Sequence, residues 1–280
     1  MNTVNVLRKV LIAAGVLAVI LFVCIALLAA ILGQSASESF RSSWSYDLQV
    51  STSGPLDDAV LLIPIPSRYD PETGTNVTPL DLSRASFSHF DRDKISVTIE
   101  HVDGIPMLKI SADRIDPVYK NQIVPIPIAP GQNESELPKP TQIYSNRSSE
   151  ETPVLVEMEL HVPGTGPEHE IDTRTPIGTE PLFMPYQIAG TINESGGRVE
   201  GLYVSPGTSG YIVEVPFILS FDADDENVLA VSCGFLGTNQ WWVLGWQSNS
   251  YSESVRHEFR GACNGTYPVR GVLVTGEGVY

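Results

Sequence analysis

The feature that most constrains this chain is a run of 23 residues, Val10 to Leu32, with no charge and no proline. As an α-helix rising 1.5 Å per residue it would be about 35 Å long. That length crosses a hydrocarbon core of about 30 Å with a slight tilt. The apolar region of a removable signal peptide is shorter, about 7–15 residues. Cleavage sites after the run are poor. Cutting after Ala36 would put Gln34 where a small residue is wanted, and cutting after Ser35 would put Gly33 there. The length therefore predicts a retained, single N-terminal transmembrane helix over residues 10–32 and not a signal peptide. Arg8 and Lys9 are the only charges before it. Basic residues stay on the cytoplasmic side. Residues 1–9 are then a cytoplasmic stub, 33–43 a Ser-rich stalk, and 44–280 an extracellular region anchored at the cell membrane.

All 33 acidic residues and 15 of the 17 basic ones follow the run, so that part carries a formal charge of −18. Such a surface repels nucleic acid and anionic headgroups, which argues against a nucleic-acid partner. It suits a solvated ectodomain. Five Asn-x-Ser/Thr sequons lie in the same part, at Asn76, Asn133, Asn146, Asn193 and Asn264. Chance would give about two, so the excess supports export and N-glycosylation. Cys24 lies inside the apolar run. Cys233 and Cys263 are the two remaining cysteines, the number one disulfide needs, and outside the cytosol such a pair is normally oxidised.

From Trp44 onward the pattern is that of strands. Alternating and β-branched runs recur every 8–15 residues, punctuated by Gly, Pro, Asn and Asp, with no run of helical period. This predicts an all-β fold, an antiparallel β-sandwich. Strands are expected at 46–52, 59–65, 94–102, 107–112, 122–128, 154–162, 186–192, 199–204, 211–221, 228–235, 240–246, 254–261 and 269–275. Pro64 and Pro66, like Pro125 and Pro127, sit two apart in apolar runs. Residues i and i+2 aim their N–H groups to one side, so these segments belong at a sheet edge or run off the end of a sheet. Residues 130–152 are polar and Pro- and Ser-rich, and read as a long loop or a linker dividing the β region.

Three groups of side chains are candidates for a site. Asp222, Asp224 and Glu226 alternate in FDADDEN like the early ligands of a calcium loop, though the sharp-turn Gly and the distal Glu of an EF-hand are missing; Ca2+ is the one cofactor they suggest. Trp241, Trp242 and Trp246 lie in WWVLGW, either as a two-sided core strand or as an exposed patch for a glycan or protein partner. His161, Glu168, His169, Glu170 and Asp172 gather in one Gly/Pro-rich segment without the spacing of a metal motif. No nucleophile elbow, His-Glu-x-x-His, phosphate loop or Cys-x-x-Cys is present, so the sequence offers no catalytic residue.

The leading expectation is a single-pass cell-surface protein whose acidic ectodomain serves binding or envelope structure, with an unidentified extracellular protein or glycan as partner. An N-terminal hydrophobic helix followed by a β domain is also similar to archaellins and archaeal type IV pilins. That resemblance implies a filament subunit processed just before its helix, near Arg8-Lys9 in this chain. A membrane-tethered envelope hydrolase is the third class.

Overall fold

The computed structural model describes residues 3–121, 131, 144–145, 153–164, 166–167, 169–192 and 195–280. The expected strand 122–128, with Pro125 and Pro127, lies outside the described residues, as does nearly all of 130–152.

One helix, α1 (Thr3–Ser39), opens the chain. Its run of Ala, Leu, Ile and Val satisfies every backbone group internally, the condition for crossing lipid. It is long and apolar enough to span a membrane, and none of its apolar window is buried against the rest of the protein. The helix does not stop where the apolar run stops. It continues to Ser39, whose hydroxyl donates back to the Ser35 carbonyl at 2.6 Å. The first strand begins at Arg41, so within residues 33–43 only Phe40 lies between helix and strand.

The strands are β1 (Arg41–Thr52), β2 (Leu56–Pro64), β3 (Pro66–Asp70), β4 (Thr75–Val77), β5 (Ser86–Ser88), β6 (Ser96–Val102), β7 (Ile105–Ile115), β8 (Val118–Asn121), β9 (Tyr144–Ser145) and β10 (Pro153–Val156). They continue with β11 (Met158–Pro163), β12 (Leu182–Phe183), β13 (Gln187–Thr191), β14 (Gly197–Val199), β15 (Leu202–Val204), β16 (Ser209–Asp222), β17 (Val228–Trp242), β18 (Trp246–Arg260) and β19 (Cys263–Gly278). Eleven of them form one antiparallel sheet in the order β5-β11-β1-β17-β18-β19-β16-β2-β7-β6, with β13 beside β16. The all-β expectation holds, in the form of one large sheet curled into a sandwich.

The curl is visible in the register. β18 and β19 pair only between Asn249–Val255 and Gly271–Gly278. Beyond Val255 they part. Residues 256–260 pair with β17, and 263–270 pair with β16. One sheet thus opens into two leaves, and apolar side chains fill the gap. Phe259 of β18 packs on Phe217 of β16 at 5.9 Å and on Tyr267 of β19 at 5.5 Å. Gly271 stands at the branch, where a Cβ would collide with Ser254 and Val255. Strict alternation feeds the core. Trp44, Tyr46, Leu48 and Val50 of β1 are buried, as are Leu229, Val231, Cys233 and Phe235 of β17.

The Pro64/Pro66 pair marks the end of a strand, not an edge. β2 lies between β16 and β7, and its pairing with β16 ends at Leu62. After Ile65 the chain leaves the large sheet, and β3 joins a three-stranded sheet with β12 and β4. The expected strand 199–204 is instead a hairpin, β14–β15. Glu200 and Gly201 both take positive φ, +47° and +79°, as a tight two-residue turn requires.

The disulfide expectation is overturned. Cys233 and Cys263 are both free, buried thiols. Cys233 pairs across the sheet with Val255, and Val255 with Gly271, which lies eight positions along β19 from Cys263. At 3.3 Å per residue that is about 26 Å of strand, against a bridging limit of about 7 Å between Cα atoms. Sharing a core-facing parity placed both cysteines inside without placing them together.

Candidate functional site

The end of the sandwich next to α1 is built differently from the rest. Arg41, the first residue of β1, pairs with Gln240 of β17. β17 runs two residues further, turns through 243–245, and returns as β18, with Trp242 opposite Trp246. The hairpin tip therefore overhangs the start of β1 and lies beside the last turns of α1. The Trp242 N–H donates to Ser39 Oγ at 2.8 Å, and Trp241 stacks on Phe40 at 6.4 Å. Leu244 has a φ of +54°, and Val243 N–H donates to the Gly245 carbonyl to close the turn.

The tip is exposed. Trp242 is 42%, Leu244 79% and Trp246 57% accessible, so WWVLGW is an overhanging tip and not a core strand. Trp242 and Trp246 pack edge to face at 5.8 Å, and the Arg41 guanidinium lies 4.6 Å from the Trp246 ring centre. An open cleft of about 900 Å³ separates the tip from the loop at 170–174, with Ala36, Phe40, Trp241 and Tyr280 on its walls.

That loop belongs to a strap, residues 169–183, tied down by buried polar side chains. Asn239 is the hub. Its Oδ1 accepts from Ser42 Oγ at 2.6 Å and from Ile171 N–H at 3.0 Å. Its Nδ2 donates to the Ile171 carbonyl at 2.9 Å and to Asn249 Oδ1 at 2.8 Å. Tyr251 OH donates to the Pro181 carbonyl at 2.8 Å, and Phe183 N–H donates to Glu253 Oε2 at 2.6 Å. Asn249, Tyr251 and Glu253 are successive inward positions of β18, so the polar side chains that a core would exclude here hold a backbone segment.

Two carboxyls are buried along this strap. Glu253 has its pKa pushed up to about 8 by burial, against the lowering effect of the Phe183 N–H. Glu180 is also raised by burial, although it accepts from Asp172 N–H at 2.9 Å. Glu253 Oε1 and Glu180 Oε2 have no hydrogen-bond partner among the described residues. Asp172 sits lower than an ordinary carboxyl because Thr175 hydroxyl and N–H and Arg174 N–H all donate to it.

The remaining sequence candidates are dispersed. Asp222, Asp224 and Glu226 are exposed at the turn between β16 and β17, at the end remote from the Trp tip. Among the described residues no three His, Cys, Asp or Glu side chains gather as a metal site. His161 is not in a loop; it stands on β11 opposite Asp47 of β1 and bonds it at 2.7 Å. His169 lies 4.0 Å from Glu180, and Glu168 is outside the described residues. Asn264 is exposed and Asn76 half-buried, while Asn133, Asn146 and Asn193 fall outside the described residues.

Asn239, Asn249, Glu180 and Glu253 were not among the sequence candidates. The signal was present in NSYSESV (249–255), where the inward positions of an alternating strand are Asn, Tyr and Glu. No protein-family model matches this chain, and no curated protein or solved structure shows a significant match to it.

Proposed function

We propose that the protein is a single-pass, membrane-anchored cell-surface protein. The N-terminal stub would be cytoplasmic, residues 10–32 would span the membrane, and the acidic β-sandwich would stand outside, carrying N-linked glycans and serving binding or envelope structure. The observation that supports this reading most is the bare helix. An apolar helix of this length that no core covers needs lipid, and among the described residues α1 meets the sandwich near its C-terminal end. Arg8 and Lys9 at its N-terminal end set the orientation. The charge of the sandwich supports a solvated ectodomain whose partner is a protein or glycan and not a nucleic acid.

The test is the intact mass of the native protein extracted from membranes, with and without deglycosylation, beside protease protection in sealed vesicles. The reading expects a full-length N-terminus, glycan mass on the 44–280 region, and digestion of that region from outside only. A chain shortened near residue 36 would make it a secreted protein. The bare helix also suits a second reading, a filament subunit whose helices pack on one another. A chain shortened near residue 9 would favour that reading.

A further inference from the structure

The anchor reading leaves the tip of the β17–β18 hairpin unexplained. Residues 227–252 contain no Asp, Glu, Lys, Arg or His, in a chain whose part beyond the apolar run carries −18. The tip lies in the middle of that uncharged stretch and exposes Trp242, Leu244 and Trp246. Large apolar side chains on a solvated surface need an occupant.

Position supplies one. Trp242 is level with Ser39, to which its N–H is bonded. Leu244 lies two residues further on, in the turn past the start of β1. Leu32, the end of the apolar run, lies seven residues back from Ser39 along α1, about 10 Å at 1.5 Å per residue. The polar layer on each side of the hydrocarbon core is about 5–7 Å thick. The level of Ser39 thus lies about 3–5 Å beyond that layer, a gap that a Trp or Leu side chain spans, and the layer is where Trp and Tyr rings concentrate, with one edge apolar and the indole N–H wet. Arg41, stacked on Trp246, adds a guanidinium of the kind that meets headgroup phosphate.

We infer that the Trp242–Leu244–Trp246 tip is seated in the outer headgroup layer of the same bilayer that α1 spans, as a second membrane contact that fixes the tilt of the sandwich. This rests on the anchor reading. It also accounts for the absence of charge in the hairpin, because the rest of the acidic surface is repelled by anionic headgroups. A short junction suits two contacts, since only Phe40 separates α1 from β1 and Ser39 and Phe40 tie the hairpin to it.

The test uses the full-length chain in lipid vesicles, with an environment-sensitive fluorophore at a single cysteine. In a Cys24→Ser background, labels are placed by Leu244→Cys at the tip, Leu21→Cys within the span, and Asp224→Cys at the remote turn; Cys233 and Cys263 are buried. Quenchers are nitroxide lipids labelled near the headgroup or deep in the acyl chain. The inference expects the shallow quencher to act several-fold more strongly on the 244 label than on the 224 label, and the deep quencher to act on the 21 label. A 244 label as unquenched as 224, beside a quenched 21 label, overturns the tip contact and leaves the anchor standing. An unquenched 21 label overturns the anchor itself. A 244 label shielded from water but insensitive to lipid quenchers, with shielding that rises with protein density, means a second copy covers the tip and overturns the lipid assignment.

Discussion

The backbone N–H of Phe183 donates to Oε2 of Glu253 at 2.6 Å, and through that bond a fully buried carboxyl on β18 holds the strap that crosses the sandwich. The carboxyl is held by one backbone donor and is otherwise desolvated, next to the Cys233 thiol and the Tyr251 and Tyr186 hydroxyls, whose own values burial raises.

The pH dependence follows from the direction of that shift. Glu253 is raised from 4.5 to about 8 in the fold. Below 4.5 it is protonated in both folded and unfolded chains, and stability is highest. Between 4.5 and about 8 the unfolded chain ionises while the fold keeps the proton, so stability falls as pH rises. Above about 8 the loss is complete, on the order of 5 kcal/mol at most. Glu180, also raised, contributes in the same direction. Denaturant unfolding of the full chain at pH 5 and pH 8.5 should show the decline, and Glu253→Gln should remove most of it. An unchanged slope in the variant would mean that Glu253 is ionised in the fold.

Asn239→Ala should be among the most damaging single changes. It leaves Ser42 Oγ, both backbone groups of Ile171 and Asn249 Oδ1 without their partner in a buried site. The expected loss is about 3 kcal/mol, since each orphaned polar group costs about 1–3 kcal/mol and some will find water. Hydrogen exchange at the Ile171 amide gives the specific readout. It should speed up far more than exchange in β16 or β19. Uniform acceleration would show that the strap and sheet unfold as one unit.

Gly237→Ala tests the strap from the other side. Gly237 lies opposite Tyr251 in the β17–β18 register, and an added Cβ would run into the Tyr251 ring. The ring has no room to yield while its hydroxyl bonds the Pro181 carbonyl and its face packs on Phe235 at 6.0 Å. Overpacking of this kind costs about 1–3 kcal/mol. Tyr251→Phe in the same background should cost less than it does alone, because the bond it removes is already lost. Full additivity of the two changes in thermal unfolding would count against this coupling.

The sequence carried the outline of this fold well, and carried the tip and the strap poorly. Alternation with apolar inward residues made β1, β16 and the first half of β17 legible, because burial of one face is what produces the pattern. The same rule hid the first half of β18. Its inward residues Asn249, Tyr251 and Glu253 bond to the Asn239 amide and to strap backbone, so no apolar alternation marked the segment and the strand was expected to begin at 254. The Trp-rich segment was ambiguous because hydrophobicity does not say whether an apolar side chain faces a core or stands exposed as a patch. Pairing of the cysteines failed because parity gives the face of a sheet and not the distance along it.

Thiol chemistry checks that correction. In the folded protein neither Cys233 nor Cys263 should react with a maleimide, as both are buried and burial drives the Cys233 thiol far from its thiolate. After denaturation both should react without any reductant. Reduction should change neither the mass nor the unfolding midpoint. Cys233→Ala should cost about 1–2 kcal/mol through lost packing, less than the 2–5 kcal/mol typical of removing a native disulfide. Labelling that appears only after reduction would restore the bridge.

Glycan attachment can be ranked from local geometry if the chain is exported. Asn264 is exposed near the start of β19, and its side-chain amide faces solvent beside exposed Thr266. Asn76 is half-buried on the short strand β4, and its Nδ2 donates to the Gly104 carbonyl at 3.2 Å. A transferase acting on the folded surface has free access to the first amide and must break a hydrogen bond at the second. Site-resolved mass spectrometry of the native protein should therefore find higher occupancy at Asn264 than at Asn76, and Asn264→Gln should remove one glycan without lowering the unfolding midpoint by more than about 0.5 kcal/mol, the usual range for an exposed substitution. Equal occupancy at the two sites would mean that attachment precedes folding, and bare asparagine at both would remove the glycan support for an extracellular sandwich.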